Sequence, residues 1–368
     1  MKKFLAILLC VCMVVAIVAC NKTEDTETPT TEAPTEAPTQ APANTPEEPK
    51  EAEYKLGMGV VVGMSDSSTQ VDATVAAVVT DADGKIVACR IDVAQNKFDL
   101  TKFETESAKV FETKRELKER YNMAAYGTPN VEGGTVLEWY VQAEAFEKYV
   151  VGMTAAEVSA IELKEVNHHM IAVDEALLSA GCTMQITDFM EAIAKACADE
   201  QGMTFKTAEE FTLGVAAKTA LDSKTVAATA EKNGQVHMYT DFACAVVAGG
   251  KVIATLNDAI QPNSEFTVEN VVVKNTFKGT KRELKEAYNM AAYGQPNIEG
   301  GTVLEWYVQS AAFSKHVVGM TAAEILAMET TEVNHHFIST DADLLAAGCT
   351  MQITGICAVV AQAAEYAR

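Results

Sequence analysis

Positive charge is scarce in this sequence. Its 368 residues include 29 Lys and Arg against 51 Asp and Glu, which gives a formal net charge of −22. A chain with this balance is repelled by the phosphate backbone of nucleic acids and by anionic lipid head groups. Nucleic acid is therefore not expected among its partners.

The sequence motifs of the common enzyme classes are also missing. There is no GxSxG, no Walker A loop, no CxxCH and no HExxH. Residues 57–63 (GMGVVVG) are rich in glycine, but no helix follows that would receive a phosphate, so they are predicted to begin a strand. The sequence therefore gives no positive sign of an enzyme and favours a carrier or a binding module.

Only one long apolar run is present, at residues 4–19, and it follows Lys2 and Lys3. It ends in Ile-Val-Ala before Cys20, which resembles the lipobox of bacterial lipoproteins. We therefore predict a signal peptide at 1–19 and a lipid on Cys20 that anchors the protein to the bacterial cell membrane, outside the cytoplasm. The alternative is an uncleaved N-terminal anchor helix, which also leaves the rest of the chain outside the cytoplasm.

Six further cysteines follow Cys20, and no two of them form a CxxC pair. Most lie among apolar residues, as at 243–246 (ACAV). They are predicted to be buried as small hydrophobic side chains.

Residues 20–53 are composed largely of Thr, Pro, Glu and Ala, with few large apolar side chains. A segment of this kind cannot bury enough surface to offset the entropy of ordering. It is predicted to be a disordered linker behind the lipid anchor.

A long internal repeat dominates the rest of the chain. The run TKRELKE occurs at 113–119 and again at 280–286, and EGGTVLEWYVQ occurs at 132–142 and at 299–309, with a constant spacing of 167 residues. The unit is too long for a solenoid repeat, so we predict a tandem duplication of a whole domain. The predicted domains span 54–207 and 208–368.

Each copy is predicted to be α+β, with a small antiparallel sheet followed by helices. In the first copy, Asp83 and Gly84 form a hairpin turn between two apolar runs. Capping boxes predict helix starts, and a final helix is expected after Thr187 and after Thr354. The four capping boxes are Thr113/Glu116, Thr154/Glu157, Thr280/Glu283 and Thr321/Glu324.

The most informative motif closes each copy: SAGCTMQIT at 179–187 and AAGCTMQIT at 346–354. A run of small residues, Gly and Thr just before a helix places a hydroxyl and open amides near the positive helix end, which favours a phosphate group. The alternative is an edge strand with Thr183 pointing outward. Asp188 would crowd a phosphate in the first copy, whereas Gly355 would not, so the second copy is the better candidate.

This motif resembles that of the FMN-binding domain family of exported and membrane-attached electron carriers. The preceding pattern of glycines, Trp, Gln and an aromatic residue is similar as well; its members here are Gly127, Gly133, Gly134, Trp139, Gln142, Phe146 and Gly152. The resemblance implies an FMN site in which Thr183 and Thr350 hold the phosphate, in some members through a phosphoester bond. It also implies that Gly181 and Gly348 belong to the cofactor-binding residues and that Trp139 and Trp306 wall the flavin ring. The redox partner, or a cell-surface ligand in its place, is not identified by the sequence.

Other interpretations of the two copies remain open. The domains could be surface binding or structural modules without a cofactor, and each Trp could belong to the core. The third possibility is a metal or haem site at the histidine pairs His168–His169 and His335–His336, because imidazole suits zinc, copper, nickel and haem iron. Adjacent histidines point apart in a helix or strand, so a solvated loop is the alternative for these pairs.

Overall fold

The first strand, β1 (Ala52–Met64), contains the glycine-rich run and confirms that this run is not a phosphate loop. A Cβ on Gly57 would lie 1.9 Å from the carbonyl oxygen of Ala196, and a Cβ on Gly59 would lie 2.1 Å from that of Ala192. The helix that carries both alanines therefore packs directly on the strand backbone, where only glycine leaves room for it.

The computed structural model describes residues 50–368, which fall within one compact unit, Pro49–Arg368. The predicted signal peptide 1–19, Cys20 and all but the end of the predicted linker 20–53 lie outside the described residues. Within residues 50–368, no helix is long and apolar enough to cross a membrane.

The described part of the chain is mixed α+β, as predicted. Its remaining strands are β2 (Val71–Thr80), β3 (Ile86–Asn96), β4 (Leu163–Val166), β5 (His169–Ala172), β6 (Met203–Thr207), β7 (Thr212–Leu221), β8 (Gly234–Ala248), β9 (Lys251–Ile260), β10 (Asn263–Phe266), β11 (Val272–Thr276), β12 (Thr330–Val333) and β13 (His336–Ser339).

Thirteen α-helices lie within residues 50–368, and most are short. They are α1 (Phe103–Glu106), α2 (Lys114–Leu117), α3 (Met123–Tyr126), α4 (Trp139–Tyr149), α5 (Ala155–Ser159), α6 (Glu175–Ser179), α7 (Thr187–Cys197), α8 (Lys281–Leu284), α9 (Met290–Tyr293), α10 (Trp306–His316), α11 (Ala322–Leu326), α12 (Ala342–Ala346) and α13 (Thr354–Glu365). Three 3₁₀ segments occupy Leu100–Lys102, Lys118–Tyr121 and Lys285–Tyr288.

The helix starts follow the local capping chemistry. All four predicted capping boxes are present, at the first residues of α2, α5, α8 and α11. The helices predicted after Thr187 and Thr354 are α7 and α13. The Asp83–Gly84 turn joins β2 to β3, and Gly84 has the positive φ (+75°) that such a turn requires.

Two antiparallel sheets form the centre of the molecule. The first has the order β3-β2-β1-β6, and the second has the order β11-β10-β8-β7, with β9 also pairing with β8. The short hairpins β4–β5 and β12–β13 stand apart from both sheets. Neither β7 nor the β10–β11 hairpin was predicted, because no marked turn dipeptide adjoins them.

Both faces of the first sheet are buried, as β2 shows. Val75 and Ala77 point into a core shared with the second sheet, whereas Ala76 and Val78 point to the helices α4 and α7. This explains why β2 is an almost continuous apolar run, although a half-exposed antiparallel strand would alternate. The second sheet packs its outer face on α10 and α13 in the same way.

The shared core between the sheets, here called the sheet–sheet core, contains residues from both sequence copies. Leu56 and Phe205 come from the first, and Phe242 and Leu256 from the second. Helix ends add reciprocal bonds: Lys195 donates to Glu283 (3.0 Å), and Gln362 donates to Glu116 (2.6 Å). Residues of 54–207 and of 208–368 are therefore packed together in one core and joined by side-chain hydrogen bonds at the helix ends.

The six cysteines within residues 50–368 are all free, and all but Cys197 are buried, which confirms the prediction for five of the six. Burial raises the pKa of the Cys89 thiol well above its ordinary value, so this group is an inert core residue.

Candidate functional site

A cleft of about 800 Å³ opens in the first half, between the outer face of β2, the loop after α3 and the loop before α7. Its lining includes most of the first-half residues that the sequence singled out: Gly127, Trp139, Gln142, His168, His169 and Thr183. Residues as distant in sequence as Asp72 and Phe189 meet there. The volume lies within the range of about 300–1,000 Å³ that is usual for small-molecule sites.

Thr183 is placed in the cleft by Gln142, which is completely buried. The Gln142 side chain accepts a hydrogen bond from the Thr183 amide (2.9 Å) and donates to the carbonyl of Leu137 (2.7 Å). The Thr183 hydroxyl lies 3.4 Å from the same Gln142 oxygen, a weak contact that leaves it available to another partner. Gln142 thus holds the threonine backbone firmly and its hydroxyl loosely.

Two asparagines fix the other side of Thr183. Asn130 donates to the Thr183 carbonyl (3.0 Å), and Asn167 in turn donates to the Asn130 side chain (3.1 Å). Asn167 has φ +50° in the β4–β5 turn, a conformation that asparagine tolerates better than most residues. The chain of bonds ties the hairpin tip to the loop that carries the threonine.

Gly181 shapes the turn two residues before Thr183. Its φ is +94°, and a Cβ there would lie 2.5 Å from Leu137 Cδ1. Both the backbone conformation and the space therefore require glycine, and Gly348 (φ +91°) repeats the arrangement beside Leu304. The structure gives these glycines a role in shaping the turn.

The threonine segment is a loop between α6 and α7, so the edge-strand alternative is wrong. The N-cap of α7, Ile186, has no side chain that can accept from the first-turn amides. These amides, at the positive end of an eleven-residue helix, lie next to the Thr183 end of the cleft.

Trp139 lines the cleft but is only 3% exposed. It packs edge-on against Phe189, with ring centroids 5.8 Å apart. The Lys114 ammonium lies 5.8 Å from its ring and 5.0 Å from the ring of Tyr121. Trp139 is therefore a core residue that also forms one wall of the cleft.

Two carboxylates and one lysine set the charge of the lining. Asp188 is exposed near the start of α7, and Lys114 belongs to α2. Asp72 on β2 accepts from Gln70 through one oxygen (2.9 Å), while its other oxygen is buried and has no hydrogen-bond partner among the described residues. A buried acceptor without a partner lowers the stability of the folded state unless a donor from outside the protein reaches it.

The histidine pairs sit at hairpin tips. The side chain of His168 is 98% exposed and lies 3.7 Å from Glu165, and His335 and Glu332 repeat the pair at the same distance. His169 and His336 begin the strands β5 and β13. Within residues 50–368 there is no group of three or more His, Cys, Asp or Glu side chains placed to hold a metal ion.

The second half fills the equivalent place with its own side chains. Tyr239 and Asp241 stand where the first half has Asp72 and Thr74, 167 residues earlier. Lys281, the counterpart of Lys114, is 6% exposed and donates to the Tyr239 hydroxyl (2.8 Å). Its ammonium also lies 4.6 to 5.2 Å from three aromatic ring centroids: Tyr239, Tyr288 and Trp306.

Asp241 further changes the helix end that the sequence favoured for a phosphate. A Cβ on Gly355 would lie 2.8 Å from its Oδ2, so a carboxylate already stands beside the start of α13. Burial raises the pKa of Asp241 to about 7, although Lys281 opposes the shift. Thr350 is 9% exposed, with its amide bonded to Gln309 (2.9 Å). The preference for the second copy depended on Gly355 standing where the first copy has Asp188. The sequence did not reveal that Asp241 brings a carboxylate to the same helix end.

Comparisons of the chain with models of known families, with curated proteins and with solved structures gave no match.

Proposed function

We propose that this chain is an exported lipoprotein, anchored through Cys20, that binds FMN in the first-half cleft and carries electrons outside the cytoplasm. The two halves are proposed to be tandem copies of one domain, of which only the first keeps the cleft beside its threonine loop open. The observation that carries the proposal is the cleft itself, which gathers Thr183, Trp139 and Gln142 around a space of about 800 Å³.

The groups in the cleft suit the parts of FMN. The loosely held Thr183 hydroxyl and the uncapped first turn of α7 supply hydrogen-bond donors for a phosphate. The unpartnered oxygen of Asp72 can accept from the ring N–H of the isoalloxazine. When bound, the flavin supplies the redox chemistry, and the protein positions it and sets its electrostatic surroundings.

Asp188 is the one charged group that opposes a phosphate at this end of the cleft. It lies in the first turn of α7, where a second negative charge is repelled. We therefore place the phosphate against the Thr183 side of the loop, with the ring between Trp139 and Asp72.

The test compares the two threonines. Freshly isolated protein, or protein mixed with FMN, is expected to show flavin absorbance at about one FMN per chain. Thr183→Ala should remove flavin fluorescence from a denaturing gel if the link is a phosphoester, or weaken FMN binding if it is not. Thr350→Ala is the matched control and should leave both measurements unchanged.

A colourless protein that takes up no FMN would overturn the proposal and favour a binding or structural module without a cofactor. Equal effects of Thr183→Ala and Thr350→Ala would contradict the assignment of the site to the first half. Metal bound by the isolated protein and lost on changing His168 and His169 to Ala would favour the histidine site instead.

A further inference from the structure

The two halves differ most where the second half has longer connections between its strands. The segment between β7 and β8 runs from 222 to 233, whereas β1 and β2 are joined by residues 65–70. After β9 the second half forms the β10–β11 hairpin, where the first half has a 3₁₀ turn and α1. These two additions lie together, because β10 pairs with the start of β8.

A pocket of about 330 Å³ lies between the two additions and the start of α8. Its lining includes Lys224 from the first addition, His237 from the start of β8, Lys278 from the segment after β11, and Lys281 from α8. No acidic residue lines it. In a chain with a net charge of −22, a wall made of three lysines and a histidine is a pronounced local reversal of charge.

The cationic groups are close enough to affect one another. Burial lowers the pKa of Lys281 to about 8, and Lys224 adds to the lowering, while Asp241 and Asp258 oppose it. Burial and Lys224 also lower the pKa of His237, against the opposing effect of Asp222. The acids near these groups, Asp222, Asp241 and Asp258, do not belong to the pocket lining. Asp222 lies 3.9 Å from His237 Nδ1.

Lys224 and Lys278 are exposed residues, and neither side chain takes part in a salt bridge among the described residues. Lys281 is fixed by its bond to Tyr239. The lining therefore combines one anchored lysine with two lysines whose charges are not paired within residues 50–368.

The remaining wall is partly apolar. Phe277 and Leu284 line the pocket, together with Tyr288, whose hydroxyl donates to Gln261 (3.1 Å). The lining thus combines positively charged and apolar side chains, which suits an aromatic or aliphatic group that carries an anion.

We propose that this pocket, which we call the lysine pocket, binds a small organic anion whose phosphate or carboxylate group is held by Lys224, Lys278 and Lys281. The proposal does not depend on flavin binding, because the lysine pocket lies in the second half and the FMN cleft in the first. It gives the second half a ligand of its own, at the place where the two sequences differ.

The test uses isothermal titration of the whole folded chain with phenyl phosphate and with benzoate, at constant ionic strength, with benzyl alcohol as the neutral analogue. The double variant Lys224→Gln/Lys278→Gln is expected to weaken anion binding by at least about tenfold. Both lysines are exposed, so the variant should keep the wild-type thermal unfolding temperature. If the double variant loses binding of phenyl phosphate alone, the natural ligand carries a phosphate group. If it loses binding of benzoate alone, the natural ligand carries a carboxylate.

Lys251→Gln is the matched control, since it removes the same charge from an exposed position of the second half outside the pocket. The proposal is overturned if neither anion binds or if the double variant binds as the wild type does. It is also overturned if Lys251→Gln weakens binding equally, or if benzyl alcohol binds as tightly as the anions.

Discussion

The two halves carry nearly the same threonine loop but place different side chains in front of it. In the first half, β2 presents Asp72 and Thr74, and the cleft stays open. In the second half, β8 presents Tyr239 and Asp241, which hold Lys281 among three aromatic rings. The loop and its buried Gln are retained in both halves, so the scaffold of the site does not by itself decide whether the site is open.

Access to the threonine loop therefore depends on the side chains of the strand in front of it, β2 in the first half and β8 in the second. The buried residues Gln142 and Gln309 make the same two hydrogen bonds in the two halves, at the same distances of 2.9 and 2.7 Å. The difference between an open and a filled site therefore depends on a few side chains of one strand.

The largest effect is expected from exchanging those side chains. Asp72→Tyr combined with Thr74→Asp should close the first-half cleft and weaken FMN binding by about a hundredfold, because a ring would occupy space that the ligand needs. Quenching of FMN fluorescence measures the affinity. Asp83→Tyr, at an exposed turn outside the cleft, should bind FMN normally; an equal loss there would mean that the added ring acts on stability rather than on access.

Removing the buried glutamines should distinguish an effect on stability from an effect on ligand binding. Gln142→Ala and Gln309→Ala each leave a buried threonine amide and a buried leucine carbonyl without partners, so each should lower the free energy of unfolding by about 2–4 kcal/mol. Urea denaturation measures this loss. Under conditions in which both variants are fully folded, only Gln142→Ala should also weaken FMN binding. A similar loss of binding in Gln309→Ala would contradict the assignment of function to the first half.

The smallest effect concerns pH and the second half alone. Burial raises the pKa of Asp241 to about 7, above its ordinary value of 3.8, so the folded state binds this proton more tightly than the unfolded state does. Stability from this group therefore increases as pH falls from about 7 towards 4 and is lost as pH rises through the same window.

The unfolding temperature, followed by circular dichroism from pH 4 to 7, should change by a few degrees less in Asp241→Asn than in the wild type. Burial also raises the pKa values of Asp92 and Asp258 to about 6, with the same sign, so part of the slope should remain. Asp83→Asn should leave the slope as it is. An unchanged slope in Asp241→Asn would show that this carboxyl is not buried in solution.

Local signals in the sequence predicted local structure well. The capping boxes gave four helix starts, and the Asp83–Gly84 dipeptide gave the β2–β3 turn. The repeat spacing placed the paired helices α7 and α13 at Thr187 and Thr354. Each of these features is fixed by residues that are close together in the chain.

Contacts between distant residues were not predictable in this way. Asp72 and Lys114 face the threonine loop only because β2 and α2 are brought to it by the sheet, and nothing near them in sequence marks them as site residues. Asn130 was missed for the same reason, since its bond to Thr183 spans 53 residues. A comparison of the two copies held the relevant signal, because Asp72 and Tyr239 are among the positions where they differ.

The sheet–sheet core has a consequence for the order in which the protein folds. The first half is synthesised before the residues that cover the inner face of its sheet. Until those residues have been added, the apolar side chains of Leu56, Val75 and their neighbours stay exposed to water. When the strands of the second half pack on the first sheet, the inner faces of both sheets are buried together. The nascent chain is therefore most prone to aggregation at half its length, and this tendency falls only when β7 to β9 have been added.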